Sequence, residues 1–303
     1  MALPPPWQAR GSAARLWPPI ARFTAAERRL GDAAAARGPL AAGLYEFLRF
    51  GIKQGWACLF GALMLLLMLG THLWYPADAP VARYDALVLA SLAIQAALLL
   101  LRMETVEEAK VILLFHLVGT AMEVFKTAMG SWIYPEPSLL RIGGVPLFTG
   151  FMYAAVGSYL ARIWRLLDFR FTRHPPFRAT LVLAVLIYLN FFTHHAVADM
   201  RWALFLGAAV LFGRTTVHFR MWRAYRRMPL LLGFLLVTLF IWFAENLGTF
   251  TRAWIYPSQA AGWSPVSLAK FGSWFLLMLI SYVMVSAVHG PRPMPREARA
   301  EPA

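Results

Sequence analysis

The sequence contains little charge and almost no cysteine. Only 15% of its 303 residues are charged, and 15 Asp and Glu face 29 Lys and Arg. The single cysteine, Cys58, lies inside an apolar run, so one chain can form neither an internal disulfide framework nor a thiolate metal cluster. Cysteine usage therefore does not indicate the redox compartment.

Several catalytic and nucleotide-binding motifs are absent as well. The sequence has no Walker loop, no dinucleotide-binding glycine fingerprint, no serine nucleophile elbow and no HExxH zinc motif. ATP-driven transport and hydrolase chemistry of those types therefore have no support.

Apolar residues, by contrast, are abundant. The chain is 59% hydrophobic and holds 12 Trp and 22 Phe, which is too apolar for an ordinary soluble domain. Runs of about 20 apolar residues, enough to cross roughly 30 Å of hydrocarbon, recur along it. The sequence predicts an all-α, polytopic membrane bundle of about eight transmembrane helices, at approximately 55–74, 84–102, 109–130, 144–163, 179–197, 200–219, 229–250 and 267–288.

Both ends of the chain lie outside these runs. Residues 1–42 are basic and rich in Pro, Ala and Arg, and we expect a loosely ordered cytoplasmic tail. They contain no continuous apolar h-region, so a cleaved secretory signal is not expected. Residues 291–303 are expected to form a second cytoplasmic tail.

The distribution of basic residues predicts the orientation. With eight spans and the N-terminus inside, 23 of the 29 Lys and Arg lie on the inner side and six on the outer side. Such a bias indicates an N-in, C-in topology by the positive-inside rule. The net charge of +14 is therefore a topology signal that favours membrane lipids, not nucleic acid, as partners.

The phrase WIYP occurs twice, at 132–135 and at 254–257, a shift of 122 residues. The same shift superposes Glu123 on Glu245, and six of the thirteen residues over 123–135 are identical to their counterparts. This self-similarity predicts an internal repeat.

The repeat divides the chain into two predicted units of four helices, 43–163 and 164–290. Because each unit holds an even number of spans, the two copies would have the same topology. They would then be parallel repeats related by a pseudo-twofold axis along the membrane normal.

Glu123 and Glu245 are the most unusual residues of the predicted spans. Each lies nine residues before a WIYP tryptophan, in the outer half of the bilayer. A carboxyl at that depth is expensive and is expected to face a protein interior or a wet cavity. Both are therefore candidate catalytic proton donors.

Other polar and aromatic residues lie near each glutamate. A threonine follows each at i+4 on the same helix face, and each half offers a lysine as a cation. A structural explanation competes with a binding site: Trp and Tyr anchor at the membrane boundary, and polar groups join helices. The candidate binding residues are Lys126, Thr127, Trp132, Tyr134, Asn246, Thr249, Trp254, Tyr256, Lys270 and His194.

Histidines at the outer ends of the first and fifth spans raise the question of a metal. His72, His194 and His195, with Asp199, would lie at one level of the membrane. Their spacing matches no known metal signature, and adjacent histidines cannot both face one centre from a regular helix. We predict neither a metal nor a cofactor, and expect histidines that line an outer vestibule.

Three stretches carry a family resemblance: AKVILLFHLVGTAMEVFKTAMGSWIYPEPSLLRIGGVPLFTGFMY, then FFTHH, then FAENLGTFTRAWIYPSQ. In these the chain resembles the bacterial integral membrane proteins catalogued as domain of unknown function 817, over about residues 43 to 290. The resemblance implies a multi-pass protein of the bacterial inner (cytoplasmic) membrane. It implies no particular activity.

A more distant similarity is to membrane carotenoid-processing enzymes of the lycopene cyclase and carotenoid hydratase type. Glu123, Trp132, Tyr134 and the G-V-P of 144–146 fit that pattern. The second half keeps the glutamate, Trp and Tyr but has SPVSLAK in place of G-V-P. The similarity implies acidic residues that protonate a polyene.

Three classes of function remain open. The first is a membrane enzyme or binder of an isoprenoid or other lipid, with the glutamates as proton donors. The second is a small-molecule transporter, and the third is a non-catalytic membrane assembly protein.

Overall fold

A computed structural model describes residues 18–194 and 198–295, and helices make up 68% of the structure. The helices are α1 (Pro18–Arg37), α2 (Pro39–Ala57), α3 (Leu59–Trp74), α4 (Arg83–Leu100), α5 (Val106–Ala128), α6 (Phe148–Leu166), α7 (Phe177–Thr193), α8 (Arg201–Phe212), α9 (Leu230–Phe250) and α10 (Leu268–His289).

Within the described residues, four helices are long and apolar enough to cross a membrane, namely α4, α5, α9 and α10. Helices α2 and α3 form a fifth candidate as a pair bent by 63°. Helices α7 and α8 are apolar but have only 17 and 12 residues. The mostly helical class and the presence of membrane-length apolar helices are confirmed, whereas the count of eight spans stays a prediction.

In the part of the chain that the structure describes, two small antiparallel sheets accompany the helices, so the all-α prediction is incomplete. Strand β1 (Arg141–Ile142) pairs with β2 (Val145–Pro146). Strands β3 (Arg170–Thr172), β4 (Thr216–Arg220) and β5 (Tyr225–Pro229) form the second sheet in that order.

The predicted span at 200–219 is wrong in its second half. Helix α8 ends at Phe212, and β4 follows after a short turn. Val217 and Phe219 are buried, and the polar residues that alternate with them are partly exposed. This alternation buries one face of a strand, whereas a helix would scatter the same residues around its surface.

The segment expected to be loosely ordered contains helix α1. Its alanines and arginines are good helix formers, and prolines are tolerated in a first turn, where the backbone N–H groups need no helical partner. Tyr45 of α2 donates to the carbonyl oxygen of Glu27 at 2.9 Å, and Arg49 pairs with the Glu27 carboxylate at 2.7 Å. Glu46 pairs with Arg226 of β5 at 2.6 Å, which ties α2 to the sheet.

Helices α5 and α6 pack closely against each other. A Cβ added to Gly119 would lie 2.6 Å from Tyr153, and one added to Gly157 would lie 2.6 Å from Phe115. Each glycine therefore receives an aromatic side chain from the other helix, and the two helices approach closely. Helix α10 packs against α6, α7 and α9 and completes the bundle.

His174, in the loop between β3 and α7, connects this loop to α10 through Tyr282. Its Nδ1 lies 2.7 Å from the Pro175 carbonyl oxygen and its Nε2 lies 2.8 Å from the Tyr282 hydroxyl. A neutral imidazole satisfies both contacts, because Nδ1–H donates and Nε2 accepts. Burial lowers the pKa of His174, so below the ordinary histidine pKa of about 6.5 the unfolded chain binds a proton that the folded chain does not.

We therefore expect His174 to contribute stability that is present above about pH 6.5 and is lost as the pH falls below it. The measurement is thermal unfolding in detergent between about pH 7.5 and 5. The control is His174→Gln, which can still donate and accept but does not titrate. Wild-type protein should lose more of its unfolding temperature over this range than the variant, and equal slopes would contradict the prediction.

Candidate functional site

Glu123, in the last turns of α5, accepts three hydrogen bonds. Its Oε2 accepts from the indole N–H of Trp132 at 2.6 Å and from the hydroxyl of Tyr134. Its Oε1 accepts from the hydroxyl of Tyr153 at 2.7 Å. Both carboxyl oxygens are satisfied, and the residue is 5% exposed.

Glu245, near the end of α9, is held in a similar way. Its Oε1 accepts from the indole N–H of Trp254 at 2.9 Å and from the hydroxyl of Tyr256 at 2.5 Å. Trp254 and Tyr256 follow Glu245 by nine and eleven residues, and Trp132 and Tyr134 follow Glu123 by the same distances.

The same helix ending places both tryptophans over their glutamates. After α5, Ser131 N–H bonds to the Lys126 carbonyl at 3.0 Å and Gly130 has φ 67°. After α9, Ala253 N–H bonds to the Gly248 carbonyl at 3.0 Å and Arg252 has φ 55°. Both are Schellman closures, which reverse the chain and return it along the helix it has just left. Gly130 takes this left-handed conformation more easily than Arg252 does.

The two WIYP segments meet each other directly. Ile133 N–H bonds to the Ile255 carbonyl and Ile255 N–H bonds to the Ile133 carbonyl, both at 2.9 Å. The Trp132 and Tyr256 rings pack edge to face with centroids 6.3 Å apart. The structure therefore brings the predicted glutamates and aromatic residues of both halves together.

The two candidate lysines differ in their relation to the glutamates: Lys270 interacts electrostatically with Glu245, whereas Lys126 contacts other residues. Lys126, expected to be the cation beside Glu123, has its Nζ 3.4 Å from His194 Nε2 and 4.3 Å from the Phe191 ring centroid. Lys270 lies over two aromatic rings. Its Nζ is 4.4 Å from the ring centroid of Tyr256 and 5.7 Å from that of Trp132. Lys270 thus touches aromatic residues from both halves.

Thr249 and Asn246 form hydrogen bonds with groups other than the Glu245 carboxyl. Thr249 donates to the Asn246 carbonyl at 3.1 Å and accepts from Trp263 at 3.2 Å. Asn246 accepts from the backbone N–H of Val266 at 2.9 Å, so it anchors the loop that leads into α10. Thr127 has a buried hydroxyl with no hydrogen-bond partner among the described residues.

His72 and His194, the two described histidines of the predicted group, contact different neighbours. His72 packs on Phe250 with ring centroids 5.6 Å apart, and His194 Nδ1 lies 2.9 Å from the Asn190 carbonyl. Asp199 pairs with Arg201 at 2.5 Å, and His195 lies outside the described residues. Within 18–194 and 198–295, no three His, Cys, Asp or Glu side chains are grouped so as to hold a metal ion.

A groove of about 370 Å³ adjoins the paired segments. Thr71, His72, Arg83 and Glu136 contribute to its lining. Arg83 pairs with Glu136 at 2.6 Å and donates to the Thr251 carbonyl at 2.9 Å. Because Glu136 directly follows the first WIYP, the groove opens beside the site.

Two features of the structure were missed by sequence reasoning. The first is Tyr153, the third donor to Glu123, which lies outside the repeated phrase. Its hydroxyl is one of several polar groups in α6, so it does not stand out in the sequence.

The second is a buried ionic cluster at the other end of α5 and α6. Arg162 donates to Glu104 at 2.8 Å, and Ser158 donates to the same carboxylate at 3.2 Å. Arg165 pairs with Glu108 at 2.8 Å. Arg162 lies at the end of a predicted span and the glutamates lie in a predicted loop, so their burial together could not be seen from local composition.

Tyr134 and Tyr256 lie beyond the ends of α5 and α9. Burial, reinforced by the neighbouring glutamate, raises the pKa of each hydroxyl well above its ordinary value. Both hydroxyls therefore stay protonated and remain donors, as the indole N–H groups do. The site can hold a carboxyl group in a dry environment, with donors that do not themselves titrate.

Fold and site together define a class: a helical protein with membrane-length apolar helices, in which paired Trp and Tyr segments hold two glutamates at the ends of α5 and α9. The chain belongs to the family described as "Protein of unknown function (DUF817)", whose model matches residues 46–282. The resemblance to this family drawn from the sequence is confirmed.

The chain is also similar to the "Uncharacterized protein YoaT" of Bacillus subtilis (strain 168). The two are 44% identical over 243 residues, which cover 80% of this chain and 91% of that protein. No solved structure matches the chain. The similarity to carotenoid-processing enzymes gains no support from these comparisons.

Proposed function

We propose that the protein binds an isoprenoid or other lipid at the paired glutamates, within the bacterial inner membrane. The observation that carries this proposal is the pair of buried carboxyl groups, each held by an indole N–H and a phenol O–H. Burying a carboxyl is costly, and neutral residues could join helices at lower cost. A site that retains two such groups at aromatic loops is typical of ligand binding in a membrane.

The architecture in this proposal is eight spans in two parallel four-helix repeats, 43–163 and 164–290, with both ends inside. The matching Schellman closures and the reciprocal Ile133–Ile255 hydrogen bonds support a pseudo-twofold relation of the two copies. The charge bias of 23 to six supports the orientation. In this orientation the paired segments lie at the outer boundary.

Binding is favoured over protonation of a polyene at this site. A catalyst that generates positive charge on its substrate would offer free aromatic faces to stabilise that charge. Here the ammonium of Lys270 already lies over the rings of Tyr256 and Trp132. Proton donation by Glu123 or Glu245 is therefore the secondary form of the proposal.

Transport has less support than binding. A transport path needs polar groups across the whole bilayer. The inner part of α5 over 111–118 offers only His116, and the start of α9 over 230–240 offers only Thr238. Helices α5 and α9 therefore supply no continuous polar path.

We expect a specific lipid to co-purify with the wild-type protein in mild detergent and to decrease at least about tenfold in the Glu123→Gln/Glu245→Gln double variant, since charge-assisted hydrogen bonds to the ligand are lost. Mass spectrometry of the extracted lipids measures this. The matched control is Glu107→Gln, which removes an exposed carboxylate of α5 that pairs with Lys110.

Two outcomes would contradict lipid binding. One is the same unselective bulk phospholipid in the wild type and in an equally stable double variant. The other is unchanged lipid with a steep loss of thermal stability, which would assign the glutamates to an assembly role.

A further inference from the structure

The two halves of the site differ in how many carboxyl oxygens are occupied. Three donors reach Glu123 and use both of its oxygens. Both donors to Glu245 converge on Oε1, and Oε2 accepts no hydrogen bond from the described residues. Glu245 is nevertheless only 5% exposed. A carboxyl oxygen that keeps some access in a nearly buried residue favours a hydrogen-bond partner, and a bound molecule can supply one.

The difference has a cause in the sequence. The 122-residue shift that superposes the two glutamates places Tyr153 on Phe275, so the second half lacks the third hydroxyl. It also places Gly119 on Ile241, so the second half lacks the glycine that lets Tyr153 approach α5. Phe275 packs on Phe205 of α8 with ring centroids 6.0 Å apart.

The second half has a cation at a position where the first half has an apolar residue. The same shift places Phe148 on Lys270, and Lys270 interacts electrostatically with Glu245. Its ammonium lies 4.4 Å from the ring centroid of Tyr256, whose hydroxyl donates to Glu245. The second half of the site therefore has both an open acceptor and a cation.

We infer that Glu245, through Oε2, is the carboxyl that meets the ligand, and that the ligand is a lipid alcohol whose hydroxyl donates to Oε2. Glu123 is a positioning residue that joins α5, α6 and the first WIYP segment. This inference rests on the proposed function. A hydroxyl fits because it can donate to a carboxylate and accept from an ammonium at once. A phosphate beside the same carboxylate would be repelled.

The first test labels the purified wild-type protein with dicyclohexylcarbodiimide, an apolar reagent that adds to accessible carboxyl groups. Peptide mass spectrometry then compares the two glutamates. We expect at least about tenfold more label on Glu245 than on Glu123, because reaction at Glu123 requires the loss of a charge-assisted hydrogen bond. Tyr153→Phe removes one donor and should raise the label on Glu123 several-fold. Equal label on the two glutamates, or more on Glu123, would overturn the assignment.

The second test asks whether an alcohol occupies the site. Geranylgeraniol is added in detergent before labelling, beside a hydrocarbon of the same chain length. Protection of Glu245 by the alcohol and not by the hydrocarbon supports a lipid alcohol, whereas equal protection or none overturns it. Unequal labelling without protection by the alcohol would leave Glu245 as the open carboxyl and refute only the ligand class. The lipid extraction described above tests the proposed function separately.

Discussion

Replacement of Arg162 by methionine should lower the free energy of unfolding by about 3–5 kcal/mol. The Arg162 side chain is fully buried and donates to Glu104 at 2.8 Å and to the Trp56 carbonyl at 3.1 Å. Methionine is apolar and of similar length, so the substitution leaves the Glu104 carboxylate buried without its cation. An uncompensated buried charge is among the most destabilising of single changes. Unfolding in detergent, followed by circular dichroism, measures the loss.

Two further variants separate charge burial from lost packing. Arg165→Met breaks the ion pair with Glu108, but the Arg165 side chain is 43% exposed and Glu108 keeps Arg162 at 3.9 Å and the Thr105 N–H at 2.8 Å, so only about 1 kcal/mol should be lost. The double variant Arg162→Met/Glu104→Gln removes both charges and should recover part of the loss, because no unpaired ion remains. If the double variant is as unstable as the sum of its single changes, the charge explanation is incorrect.

Gly119→Ala should destabilise the protein by about 1–3 kcal/mol, the range for overpacking a close helix contact. The new Cβ would lie 2.6 Å from the Cβ and Cγ of Tyr153, so α5 and α6 must separate or the tyrosine must move. Movement of Tyr153 would also release Oε1 of Glu123, to which it donates at 2.7 Å. Thermal unfolding and carbodiimide labelling of Glu123 measure the two effects.

The matched control is Gly51→Ala in α2, where an added Cβ meets nothing within 4 Å. That change should stabilise the helix by up to about 1 kcal/mol, the propensity difference between the two residues. The same sign for both variants would show that Gly119 is not needed for the approach of the helices.

The site residues differ in how far the sequence could identify them. Glu123, Trp132 and Tyr134 stand out because a charged residue in an apolar run and a repeated phrase are local signals. Tyr153 gives no such signal, since its role depends on the approach of α6 to Gly119. The position of Lys126 was mistaken because spacing along a helix gives a face but not the distance to a neighbouring helix.

The elements show the same division. The apolar runs that became α4, α5, α9 and α10 were evident because membrane-length hydrophobicity is a property of a single segment. Strand β4 was missed because its apolar residues continued the run of α8, and its period-two alternation is too short to stand out.

The sequence by itself determined the class of protein, its family, and the two glutamates and WIYP phrases that attract attention. Hydrophobicity, rare charged residues in apolar runs and the repeated WIYP phrase are local features of the sequence, so they can be recognised without knowledge of the fold. Only the tertiary structure decided that the two phrases meet through Ile133 and Ile255. It also decided that Tyr153 donates a third hydrogen bond to Glu123, while Oε2 of Glu245 accepts none from the described residues. Hydrogen bonds between residues 30 or 122 positions apart depend on how helices pack, and packing is set by complementary surfaces that no single segment contains.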